Sequence, residues 1–342
     1  MSKIPPIQKS DSNFPLNVDD SLIPQSETVL AAVSSGGDSM ALLLWLLQNH
    51  QNFVVAHVHH DLHELRSGEC DRDEAFVRAV CEKYSLRYLH RKIDLERRNG
   101  HVNESIARDG RYAALVEMAL ECGAGKVATA HSANDLLETT VLSLMRGASF
   151  GGWKGFLPSR PLTESIALIR PFWKIERQEL RRFLDANGWE WREDESNLSE
   201  HFRRNRVRHE VLPLLEQISG HRADNIAAAF AKNSSIAREE GEYLDFSARK
   251  ALDSLICKRE PRLITLDGNA FGELHIALQR RILRLAVLEI APTLRDLSFE
   301  KVEATRLVAM NRGKRTVWNW RKDLFVEWTG GGSGNRLRFW LV

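Results

Sequence analysis

The 342-residue sequence has no apolar run long enough to cross a bilayer; the longest, residues 40–47, falls far short of the roughly 18 that a spanning helix needs. Cysteine is scarce. The four present, Cys70, Cys81, Cys122 and Cys257, form no C-x-x-C pair and no secreted-type disulfide framework, so thiols kept reduced in a cytosol are expected. Charge of one sign is lacking too: 48 Lys+Arg face 46 Asp+Glu, a formal net of +2, so any nucleic-acid surface has to come from local clustering. The first residues hold no hydrophobic centre of a signal peptide, and Asp11, Asp19 and Asp20 argue against a transit peptide. The expectation is a cytoplasmic protein with no membrane partner. What is present, 43% apolar and 27% charged residues, excludes disorder throughout and allows a substantial core, and the length suggests two domains.

Residues 1–24 mix Pro5, Pro6, Pro15 and Pro24 with Ser, Asn and Asp and show no period, which predicts a flexible tail. Strands and helices then alternate. The apolar patterns predict strands over 28–34, 52–59, 86–93, 126–130 and 166–169, and helices over 38–48, 67–84, 103–122, 133–145 and 174–187. That alternation is the signature of an α/β fold, a Rossmann-like parallel sheet with helices on both faces, assigned here to residues 25–215. A glycine-rich bend, 147–155, interrupts it. Residues 216–342 predict a smaller, mainly helical domain, with helices over 225–255, 274–289 and 299–310 and small terminal strands over 316–320, 324–327 and 337–341.

The most informative stretch is Val33 Ser34 Ser35 Gly36 Gly37 Asp38 Ser39, between an apolar strand and an apolar helix. Small residues let the backbone close on an oxyanion, several N–H groups can point inward, and the following helix adds its positive end. The stretch lacks the Lys of G-x-x-x-x-G-K-[ST] and does not fit G-x-G-x-x-G, so neither a Walker NTPase nor a dinucleotide fold is favoured. Ser34, Ser35 and Ser39 offer hydroxyls, and Asp38 can hold Mg2+ beside phosphates. A plain helix cap is the competing explanation. The segment 34–39 resembles the S-G-G-x-D-S loop of the N-type ATP pyrophosphatases, the PP-loop superfamily. That resemblance implies ATP binding by Ser34, Ser35, Gly36, Gly37, Asp38 and Ser39, with Ser35 standing where the family usually has its first glycine.

After the fourth strand come His131 Ser132 Ala133 Asn134 Asp135 Leu136 Leu137 Glu138 Thr139. On a helix Asp135 and Glu138 share a face near the carboxyl end of the preceding strand, where ligands of parallel sheets bind. Ser132 and Asp135 also spell a capping box, which needs no chemistry. The stretch is similar to the H-x-x-D-D-x-x-E-T block of the tRNA(Ile)-lysidine synthetases, with Asn134 and Leu136 in place of an Asp and a Gln. Arg108, Arg111 and Tyr112, then Arg170 and Pro171, then segments 193–197 and 202–213 resemble the same family in the same order, so the resemblance covers roughly residues 28–215. It implies a ligase: ATP adenylates the C2 oxygen of the wobble cytidine in CAU-anticodon tRNA(Ile), releasing pyrophosphate, and free L-lysine displaces AMP to give lysidine. Under it the catalytic candidates are Asp38, Arg111, His131, Asp135 and Glu138, with Asp38 the ligand of Mg2+. ATP and Mg2+ are the cofactors, tRNA(Ile) and free L-lysine the partners, and a homodimer is left open.

Residues 201–209 carry four arginines and an amide. Arg203, Asn205, Arg206 and Arg208 are the RNA-binding candidates, because each arginine that meets a phosphate releases counterions. A solvated basic helix start is the bland alternative. His57, His59, His60, Asp61 and His63 nearly spell the H-x-H-x-D-H metal-ligand pattern, but the last His is one place late and the elements before it are in the wrong order, so metal-dependent hydrolysis is set aside. Two rivals stay open. One is a sulfur-transferring PP-loop tRNA modification enzyme, for which no suitable cysteine pair is present; the other is a catalytically impaired tRNA-binding paralogue.

Overall fold

The structure is a computed structural model, and it describes residues 15–60, 67–93, 104–146, 155–192, 203–292, 294, 297–310, 314–330 and 334–342. Contacts divide the chain into two compact units, Met1–Ser235 and Ile236–Val342.

In the first unit, β1 (Val29–Ala32) leads into α1 (Gly37–Asn49), β2 (Phe53–His60), α2 (Ser67–Lys83), β3 (Tyr88–Ile93), α3 (Glu104–Cys122), β4 (Lys126–Ala128) and α4 (Ala133–Met145). Then come β5 (Ser159–Pro161), β6 (Ala167–Ile169), α5 (Arg177–Ala186), α6 (Arg203–Arg206), a π-helical turn (Val207–Val211) and α7 (Leu212–Ser219). The sheet order is β3-β2-β1-β4-β6-β5, parallel except that β5 runs antiparallel to β6. Val29, Leu30 and Ala31 are apolar on both faces because β1 is central and covered twice. On one side α1, α2 and α5 bury residues such as Leu43, Val77 and Leu180, and on the other α3 buries Leu115 and Met118.

The chain builds β1 to β3 in one direction across the sheet and then returns to β4 on the opposite side of β1. The carboxyl ends of β1 and β4 therefore flank the point where strand order reverses, the place where open α/β sheets hold ligands. Both stretches singled out in the sequence, 34–39 and 131–138, leave the sheet there.

Of the tail predicted over 1–24, residues 1–14 lie outside the described residues. Beyond them Leu16, Val18, Leu22 and Ile23 pack against the core, and Trp173 Nε1 donates to Asp19 at 3.3 Å. The prolines hid these apolar side chains, which have a core face to cover. The pattern change near residue 215 also precedes the division between units. The division falls inside α8 (Ala223–Leu255), because Ala227 and Ala231 of its first turns pack with Val207 and Leu212 against Ala133, Leu136 and Leu137 of α4.

The second unit adds β7 (Ile256–Glu260), β8 (Leu263–Asp267), α9 (Gly268–Glu273), α10 (Ile276–Ile290), α11 (Phe299–Met310), β9 (Thr316–Arg321), β10 (Leu324–Trp328) and β11 (Arg336–Leu341). Its sheet, β7-β8-β11-β10-β9, is antiparallel throughout and larger than the small strands predicted. β7 left no trace in the pattern because it is a largely exposed strand with charged residues and no apolar alternation.

Gly155 closes the glycine-rich bend with φ +56°, where a Cβ would overlap Leu136 and press to 3.0 Å from Thr140 Oγ1 on α4. Left-handed strain and overpacking together predict that Gly155→Ala costs about 2–4 kcal/mol in urea unfolding. An unchanged midpoint would show that the bend does not constrain α4.

Candidate active site

The chain leaves β1 at Val33, whose carbonyl accepts from His57 Nδ1 at 2.9 Å. Ser39 then ties the turn from inside. Its Oγ accepts from the Ser34 N–H at 3.1 Å and lies 2.6 Å from Ser34 O and 2.9 Å from Gly36 O, either of which takes its proton. Ser34 Oγ sits 3.0 Å from Ser39 Oγ and accepts from the Gly36 N–H at 3.4 Å. The N-cap of α1 is Gly36, and no side chain caps the helix. The plain-cap explanation fails on this point. The first amides of α1 keep unmet donors at the positive end of the helix dipole, an arrangement suited to an anion.

Ser35 fits without strain, since Ser85 is the one non-glycine with positive φ among the described residues. It is buried, and its carbonyl accepts from the Arg192 N–H at 2.9 Å. Gly37 is needed for close approach: a Cβ there would meet the Trp191 indole at 3.3 Å. His59 goes elsewhere, to Glu74 at 3.1 Å, so His57 and His59 serve different partners.

Asp135 caps α4 with one carboxylate oxygen and pairs with arginines through the other. Its Oδ2 accepts from the Ser132 N–H at 2.8 Å and lies 3.1 Å from Ser132 Oγ, closing the capping box of α4. Its Oδ1 accepts from Arg177 Nη2 at 3.1 Å and Arg204 Nη2 at 2.8 Å. Glu138, one turn on, has no exposed side-chain surface; Arg204 Nε reaches it at 2.7 Å and Arg208 Nε at 2.8 Å. Arg177 Nε also donates to Asp38 Oδ2 at 3.1 Å, which ties the phosphate loop to the α4 pair. Three carboxylates and three guanidiniums thus balance at the carboxyl edge of the sheet.

These contacts set the ionisation. Burial works to raise Asp135, but Arg177 and Arg204 more than offset it and hold the carboxyl well below its usual 3.8. Asp38 moves the other way, raised by burial against the pull of Arg177. His131 accepts or donates at Thr129 Oγ1, 2.9 Å away, and packs edge-on against Phe156. Burial pushes its imidazole down to about 3, and Arg170, Arg204 and Arg111 add to the fall against Asp135, so the ring is neutral.

The remaining candidates separate. Arg111 lies over the Tyr112 ring at 5.6 Å. Arg208 turns inward to Glu138, Arg206 pairs with Glu210 at 2.7 and 2.8 Å, Asn205 is buried, and the side chain of Arg203 lies outside the described residues. Sequence reasoning missed Arg177. A signal existed: a cation in the first turn of a helix opposes the dipole, and its position there needs a reason. Asn134, which stands where an Asp is usual, accepts the Arg177 N–H at 2.8 Å, keeping the acceptor without the charge.

A family model for a PP-loop domain matches residues 9–215. The chain belongs to the PP-loop family. Among relatives of this family member, a tRNA(Ile)-lysidine synthase of Geobacter sulfurreducens is 31% identical over 300 residues, 84% of this chain and 60% of that protein. One of Symbiobacterium thermophilum is 32% identical over 285 residues, 79% and 57% respectively. A third, of Geobacillus kaustophilus, is 28% identical over 323 residues, 89% and 68%. The chain thus spans about three fifths of the first two relatives. Among solved structures, the U34-tRNA thiolase NcsA from Methanococcus maripaludis aligns with a TM-score of 0.48 at 13% identity, over 62% of this chain and 72% of that one.

Breaking the network at its buried member should be costly. Glu138→Ala is expected to lose about 3 kcal/mol or more in urea unfolding at pH 7, by leaving Arg204 and Arg208 short of a counter-charge. The sign for Asp135 is set by its depressed ionisation: its contribution is complete above 3.8 and is lost as pH falls toward the lower folded value. The stability gap between wild type and Asp135→Asn should therefore narrow only below about pH 4. A gap that closes between pH 7 and 5 contradicts the assignment.

Proposed function

We propose that this PP-loop protein is an ATP-dependent ligase that joins the ε-amine of L-lysine to C2 of the wobble cytidine in CAU-anticodon tRNA(Ile). The observation that carries the reading is the uncapped amino end of α1 opening one guanidinium away from the Asp135–Glu138 pair. A phosphate cradle and an amine-binding carboxylate pair then share one pocket. The names of the relatives supply the RNA.

In this reading the triphosphate rests on the amides of Gly37 and Asp38 and on the Ser34 and Ser35 side of the loop, with Ser39 holding its shape. Asp38 uses Oδ2 for Arg177 and is the residue that would hold Mg2+ through its other oxygen. When bound, that ion would neutralise triphosphate charge. The cytidine C2 oxygen attacks the α-phosphorus and pyrophosphate leaves; Arg111 stabilises the added charge. The lysine nitrogen then attacks C2 and AMP departs. An amine of pKa about 10.4 costs about 4.6 kcal/mol to deprotonate at pH 7, so it needs a base at hand. Asp135, held ionised by Arg177 and Arg204, binds the ammonium, and Glu138 takes its proton once phosphate has drawn its arginines away. His131 stays neutral and positions the base or the amine rather than bearing charge.

RNA is assigned to Arg203, Asn205, Arg206 and Arg208. Arg208, with Arg204, also holds Glu138, so the two ligands are coupled: a phosphate that draws these guanidiniums away leaves a buried carboxylate in need of a cation. The ammonium of lysine is that cation. Cys81 supports ligation over sulfur transfer, since burial pushes its thiol up to about 12 and leaves it inert.

The test is modification of tRNA(Ile) transcript with ATP and lysine, read by mass spectrometry of the nucleosides and by pyrophosphate release. Lysidine should form only with all three substrates, and Asp38→Ala should abolish it while leaving RNA affinity within about two-fold. Absence of ATP cleavage with tight RNA binding would favour the impaired paralogue. Arg206→Ala should reduce the salt slope of RNA binding by about one; an unchanged slope places the backbone elsewhere.

A further inference from the structure

A second concentration of positive charge lies on the α3 side of the sheet, across the switch point from α1. Tyr112 of α3 is 7% exposed, and three guanidiniums surround its ring: Arg108 and Arg111 at 5.6 Å and Arg160, from β5, at 4.8 Å. Arg170, which follows β6, is 1% exposed and lies 4.8 Å over Phe156, the ring that also meets His131.

The three-by-three network elsewhere in the pocket is balanced; this cluster is not. Among the described residues none of the four arginines is paired with a carboxylate. Arg170 donates to Leu157 O and Arg160 to Pro161 O at 3.3 Å, both main-chain acceptors. The Arg160 and Arg170 guanidiniums turn toward the Tyr112 hydroxyl, and the buried Nε of each has no acceptor of its own. Buried donors left without acceptors are costly, and three guanidiniums around one phenol with a fourth over the neighbouring Phe156 repel each other, so the arrangement calls for an anion. Burial acts to raise the Tyr112 hydroxyl, yet Arg111, Arg170 and Arg108 hold it down to about 8. The field that does this is the field an oxyanion would meet.

We propose that Arg108, Arg111, Arg160, Arg170 and the Tyr112 hydroxyl form a second oxyanion site that binds a phosphate group, separate from the amides of α1. The planar, five-donor guanidinium suits phosphate oxygens in pairs, and Tyr112 adds a single donor of fixed direction. The phosphate comes either from released pyrophosphate or from the RNA backbone beside the reacting base. The site rests on the ligase reading only for that source.

Tyr112 reports on its own site. The full chain is titrated by phenolate absorbance, with Tyr112→Phe subtracted to remove the other tyrosines, alone, with inorganic pyrophosphate, and with a short single-stranded RNA. A bound anion offsets the arginines, so the Tyr112 midpoint should climb from about 8 toward 10. Arg108→Gln combined with Arg160→Gln, both away from the deepest core, should weaken anion binding at least ten-fold with the fold intact by circular dichroism. A shift with pyrophosphate alone assigns the nucleotide as source, and a shift with RNA alone assigns the backbone. No shift with either, or a double variant that binds as wild type does, overturns the proposal. If the shift occurs and no lysidine forms under any condition, the ligase reading fails and the oxyanion site stands.

Discussion

Glu138 has no exposed side-chain surface, and a carboxylate taken wholly out of water requires counter-charges at hydrogen-bond distance. That requirement shapes the pocket. It brings Arg204 and Arg208, one helical turn apart across α6 and the π-helical turn, onto α4, and it brings Arg177 from the start of α5. Because Arg177 also holds Asp38, the phosphate loop, the α4 carboxylates and the basic segment become one electrostatic unit although they are far apart in sequence. The π-helical turn begins between Arg204 and Arg208, a place where such turns often mark functional sites.

On the proposed reading, the balance also lets one pocket take both a polyanion and a cation. Free carboxylates beside the amino end of α1 would repel a triphosphate, whereas carboxylates already held by arginines do not. The excess positive charge sits apart, around Tyr112. Charge is thus divided across the switch point: donors without acceptors on the α1 and α3 sides, and a neutralised acidic centre between them. On this account phosphate ligands and the amine bind cooperatively because they exchange partners.

Much of this was legible in the sequence. β1, α1 and α4 came within a few residues of their observed bounds because central parallel strands and amphipathic helices leave strong apolar patterns. The loop at 34–39 was legible because small residues between such elements have few uses. Asp135 carried two explanations: the cap is present on one oxygen, and the other is held by arginines that its spacing did not announce. What was not legible was partner choice. Spacing shows that Asp135 and Glu138 share a face, but only the tertiary fold decides that Arg177 and Arg204 meet them, or that Arg206 turns to Glu210 and Arg208 inward. The exposed β7 and the packed residues 16–23 were missed for the same reason: their structure is dictated by neighbours rather than by their own periodicity.

The central claim is that Glu138 is occupied by arginine at rest and released by phosphate. It is tested most directly by calorimetric titration of L-lysine into the protein, alone and with saturating non-hydrolysable ATP analogue and tRNA. The account predicts lysine binding at least ten-fold tighter with both phosphate ligands present, the coupling disappearing in Glu138→Gln. Equal lysine affinity in the two conditions would contradict it.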